Sequence, residues 1–281
     1  MHLLDWHHEW KGEFGMPMTK VRKIVVALLG VTIALGNSTS ATGAPTESFD
    51  KPLRKKVVNL VRSRYQLPYN PYRFQLSCFY YPGFMVKEVI NRGVKGAFSV
   101  TVTPVIREAA PPCHLEHAST ERLMSKDLWA FAGVKGSLLF LEEAEGDSNG
   151  GKPFRVLEWE TGKRVFEDST REIDHLEFLH TTDESVSLRY LRVVGGDCSI
   201  PMEGMNCWSK FKKHYGLATA TVPRCTGYRR KGEHEGPVDH WGIPLVSIDT
   251  ASAIDYPVEV DIFPHPSIRA IPGPVKCGPV Q

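Results

Sequence analysis

Short runs in which apolar and polar side chains alternate recur along the chain and predict a strand-rich fold. The clearest runs are Phe98–Thr103, Val186–Tyr190 and Val258–Ile262, in which every second residue is apolar. A period of two is typical of strands with one buried face. Leu138–Leu141 is continuously apolar, as in a strand covered on both faces, and Phe74–Tyr81 is rich in the aromatic residues that strands favour.

A hairpin is expected between Phe154–Trp159 and Arg164–Glu167. The four residues between them include Gly162, which can supply the left-handed backbone position that a tight turn needs. We therefore expect an α+β or mainly β fold that is built of antiparallel sheets, carries a few short helices and is cross-linked by disulfides.

Three segments predict those helices. In the first, Asp50 is a suitable N-cap, Pro52 lies in the first turn, and apolar residues follow at helical spacing, namely Leu53, Val57, Leu60 and Val61. This N-terminal helix should present a basic face outward. Two shorter helices are expected at Ser119–Trp129 and at Trp208–Tyr215, the second of which should end at Gly216.

Residues 18–44 have the order of parts that defines a secretory signal peptide. A short cationic stretch precedes Ile24–Leu35, twelve uncharged and mainly apolar residues, and small or polar residues follow up to Ala44. A membrane-spanning helix needs about 20 apolar residues, so this run is too short to remain as an anchor. We expect cleavage near Ala41 or Ala44 and a secreted or periplasmic protein without a stable membrane anchor.

The signal peptide also divides the chain. Residues 1–17 are acidic where a signal peptide is basic, so we interpret them as a misassigned N-terminal extension and take Met16 or Met18 as the better start. Residues 45–281 should form a single strand-rich domain. If this domain is divided into two subdomains, the boundary is expected near residue 195, at Gly195-Gly196.

Charge is nearly balanced overall but unevenly distributed. The chain has 34 basic and 32 acidic residues, and this balance gives no indication of nucleic-acid binding, so no nucleic-acid partner is expected. Eight basic residues and no acidic one lie between Lys51 and Lys87, whereas Glu142–Glu184 holds thirteen acidic residues against five basic ones. These segments are either faces for a partner, which would be an unknown protein or an envelope polymer, or ordinary solvated faces that dock on each other.

All six cysteines follow the signal peptide, and their even number predicts disulfides in an oxidising compartment. Cys198–Cys207 is the favoured pair because it closes a short loop. Cys78–Cys113 and Cys225–Cys277 are the remaining sequential pairs, and buried free thiols are the alternative for any of the six.

Two clusters of polar residues could carry chemistry. The loop from Glu233 to His240 gathers two histidines and three carboxylates that could bind a metal or supply a general base, namely Glu233, His234, Glu235, Asp239 and His240. The other cluster, Cys113–His117, holds two histidines, and we interpret it as a disulfide cysteine beside surface histidines. The sequence gives no reason to expect a cofactor.

Two classes of function remain. The first is a non-enzymatic extracytoplasmic module that binds a protein or a polymer, which the signal peptide, the cysteines and the strand content favour. The second is a secreted hydrolase whose site lies in the loop Glu233–His240. The sequence alone does not decide whether the protein is an enzyme.

Overall fold

A computed structural model of the protein describes residues 48–61, 73–91, 98–105, 110–144, 150–182, 185–219, 221–229, 246–262 and 265–280. Most of these residues lie in antiparallel strands, and two α-helices accompany them. The predicted fold class is therefore confirmed. No helix in the described part of the chain is long and apolar enough to span a bilayer.

The first sheet has five strands that pair antiparallel in chain order. They are β1 (Arg54–Val61), β2 (Arg73–Tyr81), β3 (Phe84–Asn91), β4 (Phe98–Pro104) and β5 (Arg122–Lys126). Only two residues join β2 to β3, and the second of them, Gly83, has a φ of +86°. Few residues other than glycine adopt this conformation without strain, so Gly83 makes the tight hairpin possible.

The predicted N-terminal helix is wrong, because its residues form β1. The strand pairs with β2 over its whole length, from Arg54 opposite Tyr80 to Val61 opposite Arg73. As the outermost strand of its sheet, β1 is exposed on both faces in its first half and only half-buried at Val58 and Leu60, so it lacks the clear alternation that identifies most strands. Its adjacent β-branched residues, Val57 and Val58, suit a strand better than a helix.

The second sheet is larger, and seven of its strands lie side by side. They are β6 (Trp129–Lys135), β7 (Leu138–Glu143), β8 (Lys152–Glu158), β9 (Arg164–Thr170), β11 (Val186–Gly195), β14 (Ser252–Asp261) and β15 (Ser267–Ala270). These strands pair antiparallel in the order β15-β14-β11-β9-β8-β7-β6. Two more strands pair with its central members, namely β10 (Glu177–Thr181) with β11 and β16 (Lys276–Pro279) with β14. The predicted hairpin corresponds to β8 and β9.

Strand β7 separates two cores, as its continuous apolar run predicts. Leu139 and Leu141 pack in the inter-sheet core against residues of the five-stranded sheet, including Val86, Val100 and Val102. Leu138 and Phe140 point to the opposite face and belong to the helix-side core, which includes Trp208, Phe211 and Ile254. The larger sheet is therefore covered on both faces at this strand.

The helices are fewer than expected. Helix α1 (Ile200–Glu203) is a single turn, and α2 (Met205–Tyr215) covers the helix predicted at Trp208–Tyr215. Gly216 ends α2 in the left-handed conformation (φ +67°), as expected. The helix predicted at Ser119–Trp129 is wrong, because β5 and the start of β6 occupy that segment. A short 3-10 helix lies at Ile173–His175, and β12 (Tyr228–Arg229) pairs parallel with β13 (Val246–Ser247).

The first described residues are fixed to the larger sheet. The ring of Phe49 lies 5.2 Å from those of Phe140 and Phe178, and it rests directly on Gly133, where a Cβ would come within 2.5 Å of it. The backbone N–H of Asp50 donates to the carbonyl of Val134 at 2.8 Å. The start of the described domain is thus an integral part of the helix-side core.

Candidate functional site

The three disulfides are those that sequential pairing predicts. Cys78 is joined to Cys113, Cys198 to Cys207, and Cys225 to Cys277. Each disulfide ties two segments together: Cys78–Cys113 joins β2 to residues 113–121, which cover the five-stranded sheet, Cys198–Cys207 joins the end of the β11 segment to α2, and Cys225–Cys277 joins residue 225 to β16. Disulfides are typical of an oxidising compartment.

The predicted loop site lies outside the described residues, which omit Glu233, His234, Glu235, Asp239 and His240. Within the described ranges, no three His, Cys, Asp or Glu side chains are grouped closely enough to hold a metal ion.

The histidines of the cluster Cys113–His117 lie at the surface, as interpreted from the sequence, but one of them meets a buried ion pair. Lys87 and Glu121 are 2% and 3% exposed, and their charged atoms are 2.7 Å apart. His117 is 72% exposed and contacts the same carboxylate through Nδ1 at 3.1 Å. A cavity of about 440 Å³ lies beside this pair.

This ion pair mainly holds residues 113–121 against the five-stranded sheet. The ammonium group of Lys87 also donates to the carbonyls of His114 and Glu116, at 3.4 and 3.2 Å. Burial alone would raise the pKa of the Glu121 carboxyl, but hydrogen bonds from Lys87, Thr101 and the N–H of Ala118 outweigh it and lower the pKa. We call this arrangement the Lys87 clamp.

A larger cavity of about 730 Å³ lies beside α2. Residues 195–198, which begin with the last residue of β11, form one wall, and Lys210, Phe211 and residues 213–215 of α2 form the other. We call it the α2 cavity. Its size is within the range of about 300–1,000 Å³ that is typical of ligand pockets.

The wall formed by residues 195–198 is held rigidly. The disulfide Cys198–Cys207 joins it to the first turns of α2. Ser252, fully buried at the start of β14, donates its N–H to the carbonyl of Cys198 and accepts from the N–H of Gly196, both at 2.9 Å. Gly196 lies flat against Phe211, where a Cβ would come within 2.4 Å of the ring. The cavity is therefore preformed.

The α2 side of the cavity is cationic. Helix α2 contains three lysines and no acidic residue, and two of the lysines, Lys210 and Lys213, line the cavity together with His214. Lys210 has a counterion in Glu203, at 3.7 Å and exposed to solvent, where such a pair is weak. The acidic residue in the lining is Asp197.

A buried polar network lies next to this cavity, on the face of the larger sheet that belongs to the helix-side core. Asp168 of β9 accepts a hydrogen bond from the hydroxyl of Tyr190 and another, at 2.9 Å, from Nε of Arg192. Arg192 also donates to the hydroxyl of Tyr256 at 3.2 Å and lies 5.9 Å from the ring centre of Tyr215. Tyr215 itself lines the α2 cavity, so it connects the network to the cavity.

The network keeps its protonation state around neutral pH. Burial, and then the charge of Asp168, raise the pKa of the Tyr190 hydroxyl well above its ordinary value. Burial alone would lower the pKa of Arg192, but Asp168 outweighs it and the pKa is raised further. General acid–base catalysis works best with a group whose pKa lies near the working pH. The network is therefore better suited to supporting the side of the cavity as a fixed polar structure than to general acid–base catalysis.

Parts of this cavity are predictable from the sequence, although the cavity itself is not. The helix at Trp208–Tyr215 and the disulfide Cys198–Cys207 were both predicted, and both contribute to the cavity walls; Gly195-Gly196, expected only as a possible subdomain boundary, lines the cavity. A glycine pair followed by two closely spaced cysteines and a lysine-rich helix was the available signal. Comparison with protein families, with curated proteins and with solved structures gives no match to this chain.

Proposed function

We propose that the protein is an extracytoplasmic, non-enzymatic binding module that takes an anionic ligand group in the α2 cavity. The observation that carries this proposal is the α2 cavity itself, a preformed space of about 730 Å³ with cationic side chains on one wall. The ligand group belongs to a protein or a polymer of the envelope or the medium.

Rigidity of the cavity supports binding. A loop that is already fixed by the disulfide Cys198–Cys207 and by Ser252 loses little conformational entropy when a ligand arrives. The aromatic side chains of Phe211 and Tyr215 offer a surface for the apolar part of a ligand.

Charge supports an anion. Lys210 and Lys213 line the cavity, and neither is engaged by a buried carboxylate among the described residues. The nearby carboxylate of Asp168 is already neutralised by Arg192. The remaining acid, Asp197, faces two lysines and His214, so an anionic group should be attracted.

Export is supported by two independent features. Residues 18–44 follow the order of a signal peptide, and three disulfides cross-link the domain that comes after it. Periplasmic or culture-medium recovery of the chain, with an N-terminus near residue 42 or 45, is the expected result of fractionation followed by mass spectrometry.

The binding proposal is tested with phenyl phosphate and benzoate as anionic probes and benzamide as the uncharged control. Titration followed by amide NMR should shift the signals of residues 195–198 and 210–215 for both anions and much less for benzamide. Lys210→Glu/Lys213→Glu should weaken binding about tenfold, because an exposed ion pair contributes ~0.2–1 kcal/mol and reversal adds repulsion.

Lys212→Glu is the matched control, since Lys212 lies on the same helix but outside the lining of the cavity. It should retain nearly full binding of both anions. Equal binding of benzamide, or equal weakening by Lys212→Glu, would contradict the proposal, because either result removes the role of the cationic wall of the cavity.

A further inference from the structure

Strand β1 is an exposed sheet edge with unusual chemistry. It is the outermost strand of the five-stranded sheet, and no described strand pairs with its outer edge. Its N-terminal half is exposed to solvent, and the apolar side chains of Leu53, just before the strand, and Val57 are 75% and 47% exposed. Unpaired backbone N–H and C=O groups on such an edge are a template for another strand.

Three consecutive cations lie on this edge. Arg54, Lys55 and Lys56 are all exposed, and no carboxylate among the described residues lies within ion-pair distance of them. Glu88, whose carboxylate feels the charge of Lys55, is itself buried. The neighbouring acid, Asp50, is occupied elsewhere, because its carboxylate accepts from the N–H of Gly136 at 2.7 Å and pairs with a lysine of β6.

Two of these cations are held in place by aromatic rings. The guanidinium of Arg54 lies 4.0 Å from the ring centre of Tyr80, and the ammonium of Lys55 lies 4.8 Å from that of Phe79. Cation–π contacts of this kind restrict the side chain while they leave the positive charge in place. The two charges therefore stand at fixed positions, one on each face of the edge.

Like charges placed opposite each other across a strand pair destabilise it, so a second copy of β1 is disfavoured in the parallel in-register arrangement, and any strand with cations opposite Arg54–Lys56 is disfavoured as well. The same charges attract a strand of opposite sign. A run of cations that repels basic strands and attracts acidic ones provides specificity by repulsion as well as by attraction.

We propose that the outer edge of β1 binds an extended, acidic segment of a partner protein, which adds to the five-stranded sheet as a further strand. Acidic side chains on one face of the partner strand meet Arg54 and Lys56, and apolar side chains on its other face cover Leu53 and Val57 on either side of Lys55. This surface is separate from the α2 cavity and stands or falls independently of it.

The probe is a synthetic eight-residue peptide in which Glu and Val alternate, the same length as β1. Three control peptides accompany it: one with Lys in place of Glu, one with Thr in place of Glu, and one that keeps every Glu but has two prolines, which cannot form a strand. Binding is measured by fluorescence anisotropy, and strand addition by hydrogen exchange of the β1 amides.

The Glu-Val peptide should bind, and it should slow exchange of β1 amides at least about fivefold, since paired edge amides exchange only when the added strand opens. The Lys, Thr and proline peptides should bind about tenfold more weakly or not at all. Equal binding of the proline peptide would overturn the proposal, because it would show attraction of charge without strand pairing.

Arg54→Glu/Lys55→Glu/Lys56→Glu should abolish binding of the Glu peptide and create binding of the Lys peptide. This gain verifies that the variant is folded and that its edge is intact. The charge-matched variant Lys163→Glu/Arg224→Glu/Lys276→Glu, at exposed residues outside both β1 and the α2 cavity, should bind the Glu peptide as before. Retained binding of the Glu peptide by the β1 variant, or binding of phosphatidylglycerol vesicles in place of the peptide, would overturn the proposal.

Discussion

The Lys87 clamp should be a main determinant of stability in the five-stranded sheet, and substitution of either partner tests this. Lys87→Met removes the ammonium and leaves the carboxylate of Glu121 buried without a counterion. Removing one partner of a buried ion pair costs about 3–5 kcal/mol, and this loss is expected here because both side chains are at most 3% exposed.

The double variant distinguishes a clamp from a simple ion pair. If the two charges served only each other, Lys87→Met/Glu121→Met would be close to neutral, as replacement of buried ion pairs by apolar residues often is. However, Lys87 also binds two carbonyls, and Glu121 also accepts from the N–H of Ala118. Those groups lose their partners in the double variant, which should therefore remain about 1–3 kcal/mol less stable than the wild type.

Urea unfolding at pH 7 with the disulfides intact measures both free energies. Hydrogen exchange should also accelerate in residues 113–121 before the rest of the domain opens, because the clamp holds that segment. A loss below about 1 kcal/mol in Lys87→Met would refute the reasoning, since surface substitutions without a structural role are in that range.

The pH dependence provides a second check on the clamp. Because the folded-state pKa of Glu121 is lowered, its contribution is fully present above the ordinary glutamate pKa and is lost as the pH falls through the lowered value. The wild type should lose stability over that acidic range, and Glu121→Gln should lose less of it over the same range.

Three further predictions concern other parts of the fold. Gly196→Ala should destabilise the protein by about 1–3 kcal/mol and weaken anion binding in the α2 cavity, because the added Cβ would lie 2.4 Å from the ring of Phe211. Thermal unfolding measures the loss of stability, and the NMR titration measures the loss of binding. Burial raises the pKa of Glu88, which penalises its charged form as the pH rises above the ordinary value. Glu88→Gln should therefore equal or exceed the wild type in stability at pH 7 and lose this advantage near pH 4, by urea unfolding at both pH values; a destabilised variant at pH 7 would contradict it. Replacing Cys198 and Cys207 by alanine should cost about 2–3 kcal/mol, since the disulfide closes a short loop, and calorimetry that found no loss would show that the hydrogen bonds alone fix the cavity wall.

The elements that the sequence predicts correctly are those whose two faces differ clearly or are both buried. Leu138–Leu141 has no polar side chain, which indicates a strand that is covered on both faces. Val258–Ile262 alternates cleanly because only the face toward the helix-side core is buried. Trp208–Tyr215 keeps helical spacing because a single apolar stripe packs on the larger sheet. Cysteine spacing favoured Cys198–Cys207, and the other two disulfides are the remaining sequential pairs.

The errors occur where neither face is fully buried. Arg54–Val61 is an edge strand with one half-buried face, so burial imposes a period of two only weakly, and its apolar residues happened to fit a helix. The α2 cavity could not be predicted, because it depends on contacts between Gly196, Phe211 and Ser252 that are far apart in the chain. Sequence spacing carries little information on such long-range contacts.

The anchoring of Phe49 has a consequence for the order in which the domain can fold. Its ring contacts Gly133, Phe140 and Phe178, so its partners lie about 80 to 130 residues further along the chain. A chain that emerges with its N-terminus first cannot complete this part of the core until residue 178 has also emerged. Closure of the helix-side core around Phe49 is therefore a late event in folding, even where the five-stranded sheet has already formed.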